Sequence, residues 1–418
     1  MLTKCQMSQE PRVSLRHSSE TEGLYYLLAG GKGIGPEAVR GAIEVARRRR
    51  IPDLVLHPYT QRADPLLDHD VLGVLSCIYD RGKNEVLRKQ PYPVLNLSNS
   101  AGPIPDMGNL LSDDRAVGRM AARHLIERGH RSFLTVWYEG RIPHRERAEG
   151  FLETIRAAGL PVLDFPHSFQ GDKNLHKTHL TYIRSMREIV ASALEKIPLG
   201  TGIFVSNDEL ALLLQQVMHL SYPEHLDTSG LLGVDNDAPV FGYYGMLPEL
   251  SSVQPAFRQM GADAMDWLCD HPGPEGREAV ASLCRRYPPV SVIARASTAA
   301  GACADPLTAR MIRWIWEQVQ AGRLVTVTEL ARTHHLARKT LERRFAQHAG
   351  CSPGDLIQRL RLDLARDLLR NSRLSIAEIS LRCGFAKQDV LSRALRAADG
   401  CTPREYRVRV ASGELTSC

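Results

Sequence analysis

The carboxyl-terminal part of the chain contains one short sequence pattern twice. The first copy runs over Thr328–Phe345 and Gly350–Pro353, and the second over Ala377–Leu395 and Gly400–Pro403. Most equivalent positions are 50 residues apart. Each copy has the pattern of a short helix, a tight turn and a longer amphipathic helix that carries arginine, which is typical of helix-turn-helix units. The repeat therefore predicts two such units, at about residues 326–348 and 375–398.

The longer helix of each unit has an apolar face and a polar face. Leu341 and Phe345 are four residues apart, as are Leu391 and Leu395, so each pair is expected to face the core. The outward faces carry the side chains predicted to contact DNA, and these are Arg338, Lys339, Glu342 and Arg343 in the first unit and Gln388, Asp389, Ser392 and Arg393 in the second. Arginine and glutamine pair with guanine and adenine edges, and a carboxylate accepts from cytosine. The remaining arginines are expected to hold phosphates.

The boundaries of these helices follow from local signals. Thr328 is the expected N-cap of the first short helix, His334 and His335 form the expected turn, and the second helix is expected over Ala337–His348. A long amphipathic helix is predicted over Pro353–Leu369. It would hold the two units in fixed relation, with both longer helices on one DNA face, about 34 Å apart.

Charge is distributed unevenly along the chain. Of the 53 Lys and Arg and the 47 Asp and Glu, residues 305–410 hold 20 and 11, a balance of +9. The remainder holds 33 and 36, a balance of −3. A basic unit attached to a nearly neutral body indicates a module that binds a polyanion. The alternative is a well-solvated helical surface.

Composition limits the class of protein. A chain of 418 residues is expected to form two or three domains, and the absence of a long apolar run excludes a membrane span. The nine cysteines lie at least 15 residues apart, which favours free thiols in a reducing cytoplasm. Residues 1–22 are polar, without the apolar region of a secretory signal, and are expected to form a disordered leader.

Residues 23–297 alternate short apolar runs with longer amphipathic segments. This alternation predicts an α/β domain of two lobes, with parallel sheets covered by helices. The predicted strands are Leu24–Ala29, Asp53–His57, Val71–Cys77, Val94–Ser98, Phe133–Tyr138, Gly202–Ser206, Leu231–Asp235, Ser251–Val253 and Val290–Ala294. The helices predicted between them include Pro36–Arg50, Asp114–Arg128, Glu146–Ala158 and Asp208–Leu220. Small, unpatterned residues at 298–306 predict a linker before an all-α domain at 307–410 and a tail at 411–418.

The carboxyl-terminal domain resembles the DNA-binding domain of the AraC/XylS family of bacterial transcription regulators. The segments that carry the resemblance are Leu341–Phe345, Arg361–Leu369, Ser375–Ile379, Cys383–Phe385 and Thr402–Arg407. The chain departs from the family where Leu391 and Leu395 replace aromatic residues and where Ala337 replaces a capping residue. The alternative to this resemblance is an unrelated helical bundle.

The α/β domain resembles the type I periplasmic-binding-protein fold that LacI/GalR regulators use as their effector domain. The motifs that carry the resemblance are Asp113–Gly118, His124–His130, Arg145–Phe151, Ser206–Glu209, Gly233–Asp237, Leu250–Val253 and Arg295–Thr298. The resemblance implies two lobes joined by three crossovers, near residues 131, 254 and 288, with a small sugar in the cleft, xylose or another pentose.

Carried over residue by residue, the resemblance implies ligand contacts at Arg147, Asn207 and Asp235. Planar donors and acceptors suit a hydroxyl-rich sugar. Each residue has a structural alternative: a surface ion pair for Arg147, a helix cap for Asn207 and an Asx turn for Asp235. An aromatic wall is expected from Trp137, with Tyr138, Phe241, Tyr243 and Tyr244 as further candidates. The glycine-rich loop at residues 30–35 lacks the ending of a phosphate-binding loop.

These features favour a sugar-responsive transcription regulator. The resemblance implies double-stranded operator DNA, a sugar effector, RNA polymerase and a second copy of the chain as partners. No cofactor is expected. An enzyme is the second hypothesis, but no metal-ligand spacing, nucleophile elbow or dinucleotide fingerprint supports it. A transport-linked binding protein is the third, and the basic carboxyl-terminal unit opposes it.

Overall fold

The computed structural model describes residues 24–29, 35–51, 53–58, 71–77, 85–167, 190–237, 249–280 and 282–411. The predicted leader, most of the glycine-rich loop and the aromatic candidates Phe241, Tyr243 and Tyr244 lie outside these residues.

The elements of the described residues alternate between strands and helices as far as residue 293 and are helical after it. The strands are β1 Leu24–Ala29, β2 Leu54–Pro58, β3 Val71–Ser76, β4 Val94–Asn96, β5 Gly108–Ser112, β6 Phe133–Tyr138, β7 Val162–His167, β8 Gly202–Val205, β9 Gly230–Val234, β10 Ser251–Gln254, β11 Cys284–Tyr287 and β12 Ser291–Ile293. The helices are α1 Gly35–Arg49, α2 Glu85–Arg88, α3 Asp114–Glu127, α4 Ile142–Ala157, α5 Asp208–Ser221, α6 Pro223–Thr228, α7 Phe257–Asp270, α8 Gly273–Val280, α9 Pro306–Gln320, α10 Val327–Thr333, α11 Arg338–His348, α12 Pro353–Asn371, α13 Ile376–Arg382, α14 Gln388–Asp399 and α15 Pro403–Ala411.

The strands form two sheets of six, and parallel pairing dominates both. The first has the order β11-β5-β4-β3-β1-β2, and the second β12-β10-β9-β8-β6-β7, with β12 antiparallel to β10. Two α/β sheets followed by a helical region are the fold class that the sequence predicted. Strands β5, β7 and β11 were not predicted. Strands β7 and β11 lie at the edges of the sheets that the described strands form, where the apolar pattern of a strand is weaker.

The chain divides into two compact units, the first from Met1–Ser112 and Ala256–Tyr287 and the second from Asp113–Pro255 and Pro288–Cys418. The chain thus passes between units next to residues 254 and 288, as predicted. The crossover predicted near residue 131 is wrong, because the chain enters the second unit at Asp113. The reason is that α3 buries its apolar face with residues of the second sheet, among them Phe133 and Phe204.

Two glycines let α3 and α4 pack closely. A Cβ added at Gly118 would lie 1.9 Å from the carbonyl oxygen of Arg147, and one at Gly150 would lie 2.1 Å from that of Arg115. Both distances are far shorter than a van der Waals contact. The two helices therefore meet through their backbones. This close approach fixes the position of Arg147 relative to α3.

The helical region contains the two predicted units, α10 with α11 and α13 with α14. Leu341, Phe345, Leu391 and Leu395 are fully buried, as predicted from their spacing, and Leu330 of α10 is also fully buried. One predicted cap is wrong. The side chain of Thr326, not of Thr328, accepts the hydrogen bond from the Glu329 main-chain nitrogen. The spacing Thr326 to Glu329 is the capping-box spacing, which the sequence itself carries.

The segment predicted as the linker packs against the helical region. Ala299 and Cys303 are buried in one apolar cluster with α9, α11 and α12. The main-chain nitrogen of Ala302 donates to the carbonyl of Arg128, at the end of α3. The helical region and the second sheet are therefore in contact within one unit.

We expect Gly118→Ala to destabilise the second unit. The added methyl group must push α4 away from α3, and overpacking of this kind costs about 1–3 kcal/mol. Gly354→Ala is the matched control, since Gly354 lies in α12 and an added Cβ has its nearest atom at 3.7 Å. Helix propensity predicts that the control is neutral or stabilising. Thermal unfolding of both variants measures the difference, and equal midpoints would contradict the close packing of α3 and α4.

Candidate functional site

Arg147 lies at the centre of a buried polar network in the second unit. It is 5% exposed. Its Nε donates to Asp114 Oδ1 at 2.8 Å, its Nη2 lies 3.1 Å from Asp235 Oδ1, and its Nη1 donates to the Ser206 carbonyl at 2.8 Å. Burial alone would lower the pKa of Arg147, but the carboxylates of Asp235 and Asp114 outweigh it and raise that pKa. The guanidinium therefore stays charged and joins α3, α4 and the ends of β8 and β9.

His144 shares the same face of α4, three residues before Arg147. Its Nδ1 lies 2.7 Å from Ser206 Oγ, so the imidazole and the guanidinium bind the side chain and the main chain of one residue. The ring of Tyr138, the last residue of β6, packs edge-on against His144 with 5.4 Å between centroids. Burial, together with the nearby charges of Arg147 and Arg141, lowers the pKa of His144 to about 3, so the imidazole is neutral at physiological pH.

The first residues of α5 adjoin Ser206. The Asn207 side chain accepts from the Leu210 main-chain nitrogen at 3.1 Å and is the N-cap of α5. The buried carboxylate of Asp208 accepts from Ser252 Oγ at 2.8 Å and from the Asp237 main-chain nitrogen at 3.1 Å. Burial raises the pKa of Asp208 well above its usual value, and the charge of Asp235 raises it further.

Arg295 extends the network to the loop after β9. Its Nη2 donates to Asn236 Oδ1 at 2.5 Å and its Nη1 to the Leu250 carbonyl at 2.8 Å. Asp235 and Asn236 both have positive φ, at 103° and 50°. The loop thus holds an unusual backbone conformation directly after β9, at the residue that pairs with Arg147, and such conformations cluster at ligand sites.

These groups lie at the carboxyl ends of β6, β8 and β9, the edge where α/β folds place their ligands. The structure brings Arg147 and Asp235 together and places Asn207 next to Ser206. It does not join Trp137 to them: the Trp137 indole donates to Asp164 on the edge strand β7, at 2.9 Å. Successive side chains of a strand point to opposite faces. Among the described residues, Tyr138, the neighbour of Trp137, contacts the network through His144.

Sequence reasoning did not select Asp114, His144 or Ser206 as site residues. The sequence contains a partial signal for two of them, because the Asp113–Gly118 and Ser206–Glu209 motifs were recognised as family motifs. Within the described residues, no group of three or more His, Cys, Asp or Glu side chains could hold a metal ion.

The second candidate surface is formed by the outward faces of α11 and α14. Arg338, Lys339, Arg343, Gln388, Asp389 and Arg393 are exposed, while Glu342 and Ser392 are partly exposed. Arg338 Nε donates to Glu342 Oε1 at 2.9 Å. As the family departure suggests, Ala337 occupies the N-cap position of α11 without a side-chain hydrogen bond. The first main-chain N–H groups of such a helix are available to a phosphate.

Arg344 differs from its neighbour Arg343. Its Nη2 donates to both carboxylate oxygens of Asp305, each at 2.7 Å. Asp305 also caps α9 by accepting from the Thr308 main-chain nitrogen. Arg343 is therefore exposed, whereas Arg344 is paired with Asp305 at the start of α9.

Comparison with known protein families assigns both regions. Residues 330–409 match the model of a helix-turn-helix domain. Residues 122–298 match a periplasmic binding protein-like domain, and residues 56–181 match periplasmic binding proteins and the sugar binding domain of the LacI family. None of the described helices combines the length and apolar composition that a membrane span requires.

Individual relatives agree with this assignment. The Xylose operon regulatory protein of Escherichia coli K12 is 26% identical over 366 residues, which cover 84% of this chain and 87% of the relative. The HTH-type transcriptional regulator CdhR of Pseudomonas aeruginosa is 40% identical over 83 residues, 20% of this chain and 25% of that protein. The solved structure of the xylose-binding transcription activator xylR covers 92% of this chain and 97% of its own, with a TM-score of 0.59 at 24% identity, and so shares the fold.

Two independent features, a duplicated helix-turn-helix and a periplasmic-binding-protein-like domain before it, therefore occur together in this chain, and the alignment with the Escherichia coli regulator spans both regions. The chain combines an AraC-type helix-turn-helix domain with a LacI/GalR-like periplasmic-binding-protein domain, and in this combination it resembles the xylose operon regulators.

Proposed function

We propose that this protein binds promoter DNA through α11 and α14 and that a small neutral sugar, xylose or another pentose, controls its activity from the Arg147 network. The observation that carries the proposal is the buried guanidinium of Arg147 at the carboxyl edge of the second sheet. Buried charged groups with shifted pKa values cluster at functional sites, and α/β folds place their ligands at this edge of the sheet.

The charges of the network favour an uncharged ligand. Arg147 already faces two carboxylates, Asp114 and Asp235, and a third carboxyl group, Asp208, lies nearby. The described residues of the network thus offer no excess of positive charge to a phosphate or a carboxylate. They do offer carboxylate and carbonyl acceptors together with guanidinium and hydroxyl donors, which suit the hydroxyl groups of a sugar.

The names of the relatives support a pentose as the first ligand to test. Those relatives are xylose operon regulatory proteins, and the solved structure is that of a xylose-binding activator. We further infer that the protein acts in the cytoplasm as a homodimer with RNA polymerase as a partner. Two copies would bring four reading helices to one promoter, which multiplies the modest affinity of each unit.

On DNA, the proposal assigns base contacts to the exposed side chains of α11 and α14 and phosphate contacts to the remaining exposed arginines. Arg343 and Arg393 occupy equivalent positions in the two units. Both are exposed. Arg343 lies on the face of α11 opposite the buried Leu341 and Phe345, and Arg393 lies on the face of α14 opposite the buried Leu391 and Leu395. This geometry leaves both guanidinium groups free of the core to enter a major groove.

We expect D-xylose, or another aldopentose of a small panel, to raise the thermal unfolding midpoint of the protein, because a ligand that binds only the folded state stabilises it. Arg147→Gln should abolish this rise. It should also lower the midpoint without ligand, since removing one partner of a buried ion pair costs about 3–5 kcal/mol. The corresponding sugar phosphates should give no rise.

Arg145→Gln is the control for Arg147→Gln. Arg145 lies on the same helix, is exposed, and faces Glu149 at 3.8 Å. Its loss should leave both the midpoint and the sugar effect unchanged. Sugar stabilisation of Arg147→Gln equal to that of the unmodified protein would refute the assignment of Arg147.

We expect Arg343→Ala and Arg393→Ala each to weaken binding to genomic fragments that the unmodified protein enriches. Loss of a bidentate base contact costs about 1–3 kcal/mol, which corresponds to roughly 5- to 150-fold in affinity. Arg40→Ala removes the same charge from the exposed surface of the first unit and should have no effect. Fluorescence anisotropy on enriched and unrelated duplexes measures both affinity and discrimination. Unchanged affinity in both arginine variants would argue against these helices as the reading elements.

A further inference from the structure

Two arginines of α9 bind the carboxyl-terminal end of α6. Nη1 of Arg313 lies 3.2 Å from Asp227 Oδ1, and its Nη2 donates to the carbonyls of Leu226 and Asp227 at 2.8 and 2.9 Å. Nη1 of Arg310 lies 3.3 Å from Asp227 Oδ2. The last carbonyls of a helix have no partner within it, so Arg313 caps α6. Asp227, Arg310 and Arg313 are termed the clasp.

The clasp joins the sensor part and the DNA-binding part of the second unit, and its Asp227–Arg313 pair is buried while Arg310 is exposed. Arg313 is 8% exposed and Asp227 is 9% exposed. Burial lowers the pKa of Arg313, and the charge of Asp227 opposes this effect. A desolvated guanidinium that loses its partners is strongly disfavoured. The contact is therefore expected to be either complete or broken, with few intermediate arrangements.

The segment that carries Asp227 has both ends in the Arg147 network. It leaves the network at Ser206 and Asp208, runs through α5 and α6, and returns through β9 to Asp235. The 14 residues of α5 span about 21 Å. Leu210, Leu214 and Met218 are almost completely buried along this helix. The helix is therefore packed against its neighbours along its length and is expected to move as one rigid element. A ligand that shifts Ser206, Asp208 or Asp235 therefore acts on an element that ends at the clasp.

On the other side of the clasp, α9 is joined to the first reading helix. Its N-cap residue Asp305 accepts from Arg344 of α11 at 2.7 Å. Ile312 and Ile315 of α9 lie in the same apolar core as Leu341 and Phe345 of α11. A displacement of α9 thus carries α11 with it.

We propose that the clasp couples occupancy of the Arg147 network to the position of α11 and thereby to DNA affinity. This inference rests on the proposed function. A ligand changes DNA affinity only if it binds the two states of the clasp unequally, and the coupling is then reciprocal between the two sites. Loss of the clasp removes the coupling without removing either site.

The test uses the full chain with Asp227→Asn and Arg313→Met. Asp227→Asn removes the charge and keeps the shape, and Arg313→Met removes the cap of α6. Glu224→Gln is the matched control, since Glu224 is an exposed carboxylate on the same helix. DNA affinity is measured with and without saturating D-xylose, or with the aldopentose that stabilises the unmodified protein most. Thermal unfolding shows in parallel that each variant folds and still gains stability from the sugar.

The unmodified protein and Glu224→Gln are expected to show the same sugar-dependent change in DNA affinity, within the 5- to 150-fold range usual for coupled sites. In Asp227→Asn and Arg313→Met the affinities with and without sugar should agree within about twofold, while sugar still stabilises both variants. A sugar effect in both clasp variants equal to that of the control would overturn the inference and leave the proposed function intact.

If no sugar affects the unmodified protein, the proposed function fails. DNA affinity measured without sugar then still tests whether the clasp positions α11. Asp227→Asn should then differ from Glu224→Gln in DNA affinity, because α9 is no longer held to α6. Equal affinities of these two variants would exclude a role for the clasp in placing α11.

Discussion

The buried guanidinium of Arg147 is the interaction on which the second unit depends. It joins Asp114 at the start of α3, Ser206 after β8 and Asp235 after β9. The close approach of α3 and α4 at Gly118 and Gly150 positions the arginine, and the arginine in turn holds the ends of two strands. A buried charge with three sets of partners is a strong constraint on geometry, because each lost partner leaves a desolvated polar group. The same constraint makes the carboxyl edge of the sheet a preorganised polar surface.

The structure of the helical region depends mainly on local sequence patterns. Each helix-turn-helix unit buries a pair of apolar residues four positions apart and exposes the opposite face. Side-chain caps begin the short helices, and Ser375 with Glu378 forms a full capping box. Interior arginines complete the region: Arg366 pairs with Asp399, and Arg361 donates to the Val325 carbonyl. The exposed faces of α11 and α14 are therefore carried by a scaffold in which several arginines are paired internally.

The chain combines these two principles. The α/β part carries the polar Arg147 network, and the helical part carries the two helix-turn-helix units. Residues 296–303 pack between them with little polar character of their own, and Ser297 Oγ donates to the Leu231 carbonyl of β9. Within the second unit, the α5–α6 segment contacts α9 through Asp227 and Arg313, and α9 contacts α11 through Asp305 and Arg344.

The sequence by itself determined the features that depend on neighbours along the chain. These are the alternation of strands and helices, the two helix-turn-helix units, and the buried faces at Leu341–Phe345 and Leu391–Leu395. Family resemblance added the expectation that Arg147 and Asp235 share one site, and the two side chains are in contact. Periodicity and short motifs are local, so they can be read without coordinates. Thr326 was missed although its spacing to Glu329 is also local.

Only the tertiary structure decided which distant groups meet. The partners of Arg147 lie 33, 59 and 88 positions away, and Asp227 is 86 positions from Arg313. No periodic pattern links such positions, because their proximity arises from the order of the strands in the sheet. Tertiary structure also decides between Trp137, which the sequence favoured as the aromatic residue of the site, and its neighbour Tyr138. The side chains of adjacent strand residues face opposite ways, and the packed sheet alone shows which of the two contacts His144.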